Sequence, residues 1–333
     1  MTPATHQPVV LIASPAGAAA NNGNWQTASR WSRLLRADFH TRLIASGEGW
    51  QGEPGDALIA LHARRSAGSV QAYTTAHPTR PCIVVLTGTD LYRDIHHDAS
   101  AQDALRRATH LVVLQDQGVA ALPMALRAKA RVIFQSAPRR QPAPAPQRVL
   151  HVIEVGHLRS EKDPLTLLRA AARLADRRDI RIDLIGAGLD ATLADAARHT
   201  QQISPSFRWL DARPHAETRQ RIQRAHLLVN SSRMEGGAHV ILEAVQSGTA
   251  VLASRIAGNV GMLGEAHAGY FEVGDDAGLA GLIERARDDP PFLAHLRAQG
   301  EQRSALFAPA TEQRQLLELI SSALRDAASQ NQR

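Results

Sequence analysis

The sequence alternates short apolar runs with longer amphipathic segments along most of its 333 residues. The runs are four to seven residues long and rich in Val, Ile and Leu, and they cover residues 9–13, 42–45, 57–61, 82–86, 110–114, 131–134, 149–155, 180–185, 207–210, 226–230 and 250–253. Such runs separated by helical patterns are typical of repeated strand-helix units, whose strands lie parallel in one sheet. The sequence therefore predicts an α/β protein.

A proline-rich stretch at residues 138–148 divides these runs into two sets. It holds four prolines in eleven residues, which favours an extended linker over a helix or a central strand. The chain also exceeds the roughly 250 to 300 residues at which one hydrophobic core stops growing. We expect two doubly wound, Rossmann-like domains at residues 1–137 and 149–310, which face each other across a ligand-binding cleft. Residues 311–333 carry leucines at helical spacing and are expected to form a docking helix and a tail.

Charge is distributed unevenly between the two halves. Residues 1–148 carry 16 basic and 9 acidic side chains, whereas residues 149–333 carry 22 and 23. The positive excess favours a small anionic ligand in the first domain. A nucleic-acid partner is not expected, because only 4% of the residues are aromatic and no stacking platform is apparent. An arginine-rich nucleic-acid binder, with an affinity that falls steeply with salt, is the non-enzymatic alternative.

Several other classes of site are not expected. Cys82 is the single cysteine, so neither a disulfide nor a multi-cysteine zinc site is predicted, and a reducing, cytoplasmic location fits best. The histidines include one adjacent pair, His96 and His97, without a metal-binding motif around it. No apolar run reaches the ~18 residues that a membrane span needs, and the glycines form no dinucleotide fingerprint. We therefore expect no metal, no nicotinamide cofactor and no membrane partner.

The most informative segment follows the run at residues 226–230. It contains Glu235 and, eight positions later, Glu243, with Gly236 and Gly237 directly after the first carboxylate. Two glycines break the chain at a strand exit, so a helix is expected to begin after them with its free N–H groups toward the ligand. The two carboxylates are expected to contact different parts of one elongated ligand. An exposed charge at the helix N-terminus for Glu235 and a solvated helix residue for Glu243 are the structural alternatives.

A second candidate segment is the loop from Gly156 to Lys162, between a predicted strand and a predicted helix. Asp163 is expected to cap that helix and Pro164 to occupy its first position. The guanidinium of Arg159 and the ammonium of Lys162 suit a diphosphate, because a planar fork and a point charge can divide its oxygens. A pair of solvated surface charges is the alternative.

In the first domain, polar residues follow three of the predicted strands. They are Gly23 and Asn24 after the first strand, His62 and Arg64 after the third, and Thr87, Gly88 and Thr89 after the fourth. Backbone N–H groups and an arginine in such positions can bind a small anionic acceptor, and His62 is a candidate general base. A surface arginine and a buried, hydrogen-bonded histidine are the structural alternatives.

The two glutamates with the preceding serines, together with the Arg159 and Lys162 loop, resemble the retaining nucleotide-sugar glycosyltransferases of the GT-B architecture. The resemblance covers the second domain and implies a GT-B fold with a UDP-sugar as co-substrate and no metal cofactor. In that family the first carboxylate engages the donor sugar, the second the ribose hydroxyls, and the two cations the diphosphate. By position, the implied catalytic residues are Arg159, Lys162 and Glu235, and the implied donor-binding residues are Glu243, Gly236, Gly237, Gly156 and Ser232.

A narrower resemblance extends over nearly the whole chain. Its motifs are Asn22-Gly23-Asn24, Leu61-His62-Ala63-Arg64, Leu86-Thr87-Gly88-Thr89-Asp90, Val155-Gly156-His157-Leu158-Arg159 and Ser231-Ser232-Arg233-Met234-Glu235-Gly236-Gly237. This set resembles the selenosugar synthases of selenoneine biosynthesis. It implies transfer of a sugar from UDP-N-acetylglucosamine or UDP-glucose to the selenium of selenophosphate, which gives a 1-seleno-sugar, UDP and phosphate.

This narrower resemblance also implies the acceptor site. Its residues would be Gly23, Asn24, His62, Arg64, Thr87, Gly88 and Thr89. The other enzymes of the pathway would be the candidate protein partners. A glycosyltransferase that acts on a hydroxyl of a lipid, a polysaccharide or a small molecule is the alternative.

Overall fold

The computed structural model describes residues 7–17, 23–44, 49–143 and 148–331. The chain divides into two compact units, unit 1 from Met1–Gln135 and Pro309–Arg333, and unit 2 from Ser136–Ala308. Asn22 of the acceptor motif and residues 144–147 of the expected linker lie outside the described residues. Unit 1 is thus assembled from two separate parts of the chain.

Unit 1 contains a parallel sheet. Its described strands are β1 (Val9–Ala13), β2 (His40–Ile44), β3 (Ala57–Leu61), β4 (Cys82–Leu86), β5 (His110–Val113) and β6 (Ala130–Val132). They lie in the order β2-β1-β3-β4-β5-β6, with every neighbouring pair parallel. The direction in which successive strands are added therefore reverses between β1 and β3.

Unit 2 contains a second parallel sheet. Its described strands are β7 (Leu150–Val155), β8 (Ile180–Ile185), β9 (Phe207–Trp209), β10 (Leu227–Asn230), β11 (Ala250–Ser254) and β12 (Tyr270–Phe271). They lie in the order β12-β11-β10-β7-β8-β9, again with parallel neighbours. Here the reversal falls between β7 and β10.

Helices connect and cover the strands. The described α-helices are α1 (Gly23–Leu35), α2 (Ala67–Ala76), α3 (Ile95–His97), α4 (Ala99–Arg107), α5 (Pro164–Arg173), α6 (Ala191–Ile203), α7 (His215–Arg224), α8 (His239–Val245), α9 (Ala257–Leu263), α10 (Asp276–Asp288), α11 (Pro290–Arg303) and α12 (Pro309–Asn331). Among the described residues, no helix has the length and apolar character that crossing a membrane requires.

The sheet of unit 1 buries both faces, because alternate strand residues point to opposite sides. Leu11 packs into a cluster with residues of α2 and α4, whereas Ile12 packs into a second cluster with Trp31 of α1 and Ile320 of α12. The indole Nε1 of Trp31 also donates a 2.7 Å hydrogen bond to the buried carboxylate of Glu312 on α12. The C-terminal helix is therefore part of the core of unit 1.

The structure confirms the predicted fold class, two α/β units with parallel sheets. The predicted strands are all present, with ends that differ from the predicted ones by a residue or two. The two-residue strand β12 was not predicted, since Tyr270 and Phe271 do not form an apolar run. Its pairing with β11 at the sheet edge is a tertiary contact that the local sequence does not signal.

Candidate active site

The two candidate loops of unit 2 leave adjacent parallel strands. One follows β7 and the other follows β10, and these strands pair directly, with Val152 opposite Leu227. The strand order reverses at this pair, so the loops after β7 and β10 diverge and leave a crevice at the carboxyl edge of the sheet. Ligands of open α/β sheets bind at such reversal points. The topology therefore brings together segments about 70 residues apart in sequence.

Lys162 and Glu235 form an ion pair across this reversal point. The Nζ atom of Lys162 lies 2.5 Å from Oε1 of Glu235, and the hydroxyl of Ser232 donates a 2.7 Å hydrogen bond to the same oxygen. The side chains of Lys162 and Glu235 are only 21% and 11% exposed. Burial raises the pKa of Glu235, but the ammonium of Lys162 and the hydroxyl of Ser232 outweigh burial, so the pKa lies below its usual range. Glu235 is therefore ionised and held in one position.

Gly258 allows Glu235 to reach this position. A Cβ atom on Gly258, in the first turn of α9, would lie 2.1 Å from the backbone oxygen of Glu235. A side chain there would displace the loop that carries the carboxylate. Sequence reasoning did not identify Gly258, because the close approach is a tertiary contact between segments 23 residues apart.

Gly186 makes a similar close approach to Gly156. Gly186 follows β8 with a φ of 159°, and a Cβ atom on it would lie 1.8 Å from the backbone oxygen of Gly156. The backbone N–H of Gly156 donates to the oxygen of Ile185, which fixes the start of the Arg159 and Lys162 loop. Arg159 itself is exposed on this loop.

A buried glutamate, Glu154, contacts the serine that anchors the backbone of the same loop. Ser231 Oγ lies 2.6 Å from Oε1 of Glu154 on β7, and 2.9 and 3.0 Å from the backbone oxygens of Lys162 and Asp163. Burial raises the pKa of Glu154 to about 8. A protonated Glu154 supplies the second proton that this cluster needs, because one hydroxyl cannot donate to three oxygens at once. Oε2 of Glu154 is buried and has no hydrogen-bond partner among the described residues.

The expected side-chain cap of α5 does not form, and this corrects the sequence prediction. Pro164 does begin the helix, but Asp163 has a φ of 47° and makes no side-chain hydrogen bond to the helix N–H groups. Its left-handed backbone directs the carboxylate elsewhere: Oδ2 accepts from the hydroxyl of Thr166 and pairs with Arg233, each at 2.9 Å. A non-glycine residue in this conformation is strained, and Asp tolerates it better than most.

Glu243 lies in a separate polar cluster on α8. Its Oε1 is 2.7 Å from Nε2 of His215 on α7 and 3.6 Å from Nε2 of His239, one turn earlier on α8. The buried guanidinium of Arg219 donates a 2.6 Å hydrogen bond to the backbone oxygen of Glu243, and its Nε lies 3.6 Å from Oε1. Burial raises the pKa of Glu243, but these three side chains outweigh burial and place it below the usual range.

Glu243 is thus a buried, charged group and not a solvated helix residue, with an exposed fraction of 3%. An ionised carboxylate in this position is favourable only because cations and donors surround it. Sequence reasoning missed His215 and Arg219, since they come from the preceding helix and form no motif with Glu243. The two glutamates Glu235 and Glu243 have different partners, so they do not share a proton.

In unit 1, His62 and Thr89 come together beside β3 and β4. Nε2 of His62 lies 3.1 Å from Oγ1 of Thr89, and His62 is buried with a φ of 70°. Burial lowers its pKa, although Asp90 and Asp94 oppose this effect. Asp90 accepts hydrogen bonds of 2.9 Å from the backbone N–H groups of Ala63, Thr87 and Gly88, which ties the two strand exits together.

Two further candidates in unit 1 lie in different settings. The side chain of Arg64 is 48% exposed and lies 3.8 Å from Asp94 and 3.9 Å from Asp98, so part of its charge is compensated within the protein. Gly23 and Asn24 form the first turn of α1, the helix that follows β1. Because β1 and β3 are the strands of the reversal point in unit 1, these residues and the His62 loop follow the two strands where a ligand is expected.

Comparison with known proteins gives one family match. The model of the family "Glycosyl transferases group 1" matches residues 137–303, which is half of the chain. Among curated relatives, D-inositol 3-phosphate glycosyltransferase of Corynebacterium diphtheriae is 31% identical over 161 residues, or 46% of this chain and 38% of that protein. The enzyme of the same name from Corynebacterium urealyticum is 32% identical over 179 residues, or 50% and 42%. The chain therefore matches less than half of the length of these relatives.

Solved structures show the same fold. Anabaena Alr3699/HepE, crystallised with UDP and glucose, is 16% identical with a TM-score of 0.75, and the match covers 95% of this chain and 100% of that one. Sucrose-phosphate synthase from Thermosynechococcus elongatus is also 16% identical, with a TM-score of 0.76 and coverage of 95% and 98%. At this level of identity the likeness concerns the fold, which in these proteins is GT-B.

Proposed function

Because the chain belongs to the group 1 glycosyl transferases, we propose that it transfers a sugar from a UDP-sugar to the selenium atom of selenophosphate. In the transfer step, the bond from the anomeric carbon to the β-phosphate oxygen of UDP breaks, and its electron pair leaves with UDP. A bond forms between the anomeric carbon and selenium. Attack of water on phosphorus then cleaves the selenium-phosphorus bond and gives the 1-seleno-sugar and phosphate.

The observation that carries the donor half of this proposal is the Lys162 and Glu235 ion pair at the reversal point of unit 2. A bound diphosphate offers Lys162 a more highly charged partner, and the exposed Arg159 on the same loop adds a second cation. Glu235 then accepts hydrogen bonds from sugar hydroxyls in place of the ammonium. The sites for sugar and diphosphate are therefore adjacent, as a nucleotide-sugar requires.

Charge stabilisation on the leaving diphosphate would come from the protein's own cations. Negative charge grows on the β-phosphate oxygen as the glycosidic bond breaks, and a fixed cation in a water-poor site lowers the barrier. The low exposure of Lys162 and its contact with Glu235, next to the exposed Arg159, support this role. We propose that no metal cofactor takes part in the reaction.

Glu243 would accept the two ribose hydroxyls of the nucleotide. A carboxylate has enough lone pairs for a vicinal diol, and Glu243 is kept ionised by the histidines and the arginine around it. His215 is 58% exposed at its side chain, so it can turn away from the carboxylate when a diol arrives. Arg219 stays in place through its hydrogen bonds to the backbone oxygens of Glu243 and Pro138.

The acceptor half of the proposal rests on the resemblance of sequence motifs. The small size and negative charge of selenophosphate fit the positive excess of the first 148 residues and the strand exits that carry His62, Arg64 and Thr89. The relatives from Corynebacterium are named for an acceptor that also carries a phosphate. An anionic hydroxyl acceptor is therefore the competing possibility for the same site.

The deciding experiment combines the purified protein with UDP-N-acetylglucosamine or UDP-glucose and one acceptor at a time. The acceptors are selenophosphate, inorganic phosphate, D-inositol 3-phosphate and water alone. Mass spectrometry is expected to find a selenium-bearing sugar together with UDP only in the selenophosphate reaction. Transfer to inositol phosphate without a selenium product would contradict the selenium acceptor and leave the donor assignment in place.

A further inference from the structure

Three side chains of unit 2 bring metal-ligating atoms close together: His215, His239 and Glu243. One imidazole nitrogen from each histidine and one carboxylate oxygen lie within 4.8 Å of one another. His239 and Glu243 are one turn apart on α8, and His215 is the first residue of α7. In residues 7–17, 23–44, 49–143 and 148–331, this is the one group of at least three such side chains.

The spacing suits a small divalent ion. Ligands at about 2.0 to 2.1 Å from a tetrahedral zinc ion are roughly 3.3 Å from one another. The two measured separations from Oε1 of Glu243 are 2.7 Å to His215 and 3.6 Å to His239, on either side of that value. A shift of about 0.6 Å in the exposed His215 side chain would bring its separation from Glu243 to that value.

The chemistry of the ligands is that of zinc and related ions. Two imidazole nitrogens and one carboxylate oxygen form a donor set that binds Zn²⁺ and leaves a fourth position open. The carboxylate is 3% exposed and fixed by its helix, whereas the side chains of the two histidines are 58% and 31% exposed. An ion can therefore enter from the solvent side and meet a preformed anionic ligand.

We propose that His215, His239 and Glu243 bind one divalent transition-metal ion of the zinc class, and that this ion excludes the nucleotide. The exclusion of the nucleotide rests on the proposed function, in which Glu243 binds the ribose. An ion on Oε1 of Glu243 withdraws that oxygen from the ribose hydroxyls and occupies the space beside it, so the ion and the ribose compete for Glu243. The ion is thus an inhibitor that competes with the donor and takes no part in the reaction.

Arg219 limits how tightly the ion binds. Its guanidinium lies 3.6 Å from the same carboxylate oxygen and repels a second cation there. Two of its nitrogens are occupied by backbone oxygens, so it does not swing away. We expect binding that is weaker than that of a structural zinc site and reversible by a chelator.

The first test measures the ion alone. The protein is treated with chelator, desalted and titrated with zinc chloride by calorimetry, and with cobalt chloride by absorption spectroscopy for a tetrahedral site. We expect one site, and we expect His215→Ala and His239→Ala each to weaken zinc binding at least tenfold. His199→Ala, an exposed histidine on α6, is the matched control and is expected to bind as the wild type does. The proposed site would be wrong if the wild type did not bind zinc, or if zinc binding were lost in His199→Ala alone.

The second test measures competition with UDP. At a free zinc concentration of ten times its dissociation constant, the apparent Kd for UDP is expected to rise about elevenfold in the wild type. In His215→Ala the rise is expected to fall to about twofold or less, which also separates competition from capture of UDP by free zinc. A wild type that binds UDP equally well with and without zinc would overturn the competition. Failure to bind UDP in the absence of metal would contradict the proposed function, whereas the zinc titration tests the site independently.

Discussion

The ammonium of Lys162 lies 2.5 Å from the carboxylate of Glu235, although the two residues are 73 positions apart in the chain. They meet because β7 and β10 are neighbours at the point where the strand order of unit 2 reverses. The pair neutralises itself in the absence of ligand, so neither charge is left unpaired at a site of low exposure. A diphosphate and a sugar together can replace both halves of the pair.

Substitution of Lys162 by alanine is expected to lower kcat by ~100-fold or more, because charge on the leaving diphosphate grows in the transition state. Arg159→Ala is expected to act in the same direction. Steady-state assays of UDP release check both variants, and added magnesium is expected to restore little. Arg173→Ala, an exposed cation on α5, is the matched control and should keep its activity. Wild-type kcat in Lys162→Ala would remove this residue from the leaving-group role.

Glu235→Gln is expected to separate sugar contacts from nucleotide contacts. The amide keeps the shape of the side chain but loses the charge that pairs with Lys162 and with sugar hydroxyls. UDP affinity should stay within about threefold of the wild type, while turnover of the intact UDP-sugar falls. Calorimetry with UDP and kinetics with the UDP-sugar give the two readings. A large loss of UDP affinity with normal turnover would contradict the assignment.

Glu243→Ala is expected to weaken UDP and UDP-sugar alike. Hydrogen bonds to a charged group contribute about 1.5 to 3 kcal/mol each, so the loss should be roughly tenfold or more in Kd. Calorimetry with UDP in the presence of chelator measures it. Glu217→Ala provides the matched control, because Glu217 lies on α7 near the same cluster and pairs only with Arg221 in the described contacts. Equal UDP affinity in a folded Glu243→Ala protein would exclude the ribose role.

Asn24→Ala and Arg64→Ala are expected to raise the KM for selenophosphate and leave UDP affinity intact, because both positions follow strands at the reversal point of unit 1. The effect of Arg64 should be moderate, since Asp94 and Asp98 already compensate part of its charge. Kinetics at saturating UDP-sugar give the KM values. Arg106→Ala, an exposed arginine on α4, is the control. If the KM stays constant in both variants, the acceptor lies elsewhere.

Glu154→Gln is expected to stabilise the protein at neutral pH. Burial raises the pKa of Glu154 from 4.5 to about 8, so the folded state keeps a proton that the unfolded state releases above pH 4.5. The wild type therefore loses free energy of unfolding as the pH rises from 4.5 towards 8, by about 3 kcal/mol at pH 7. The amide has no charge to bury and can donate to Ser231 in place of the acid.

Denaturant unfolding of both proteins at several pH values checks this prediction. The two free energies of unfolding should agree near pH 4.5 and diverge as the pH rises, with the variant more stable. If the free energies of unfolding of the two proteins changed in parallel with pH, Glu154 would be ionised in the folded protein. In that case the hydroxyl of Ser231 would donate its proton to Glu154.

Much of the architecture could be predicted because parallel strands are encoded locally. A run such as Cys82–Leu86 is buried on both faces, and it is therefore apolar throughout and visible in the sequence. The exits of these strands then placed Lys162, Glu235 and His62 beside turns where ligands bind. To identify these candidate residues, it was sufficient to know that each follows the end of a predicted parallel strand.

The partners of those residues could not be predicted, since they depend on which strands are neighbours. The contacts of Glu243 with His215 and Arg219 join two helices, and Gly258 is required only because the backbone of Glu235 passes beside it. Glu154 lies within the apolar run at residues 149–155, and nothing in that run indicates that its carboxylate contacts Ser231. The folded structure buries this carboxylate, and its raised pKa follows from that burial.

The position of α12 has a consequence for how the protein is made. Unit 2 is complete once Ala308 has been synthesised, whereas the core around Trp31 still lacks Leu316 and Ile320 at that moment. On the ribosome, residues 1–135 therefore lack the contribution of α12 to this core, which α1 covers only in part, until the whole of unit 2 has been translated. Unit 1 can complete this core only after unit 2 has been translated, and during that interval the apolar residues that Leu316 and Ile320 later contact are the surface that chaperones would meet.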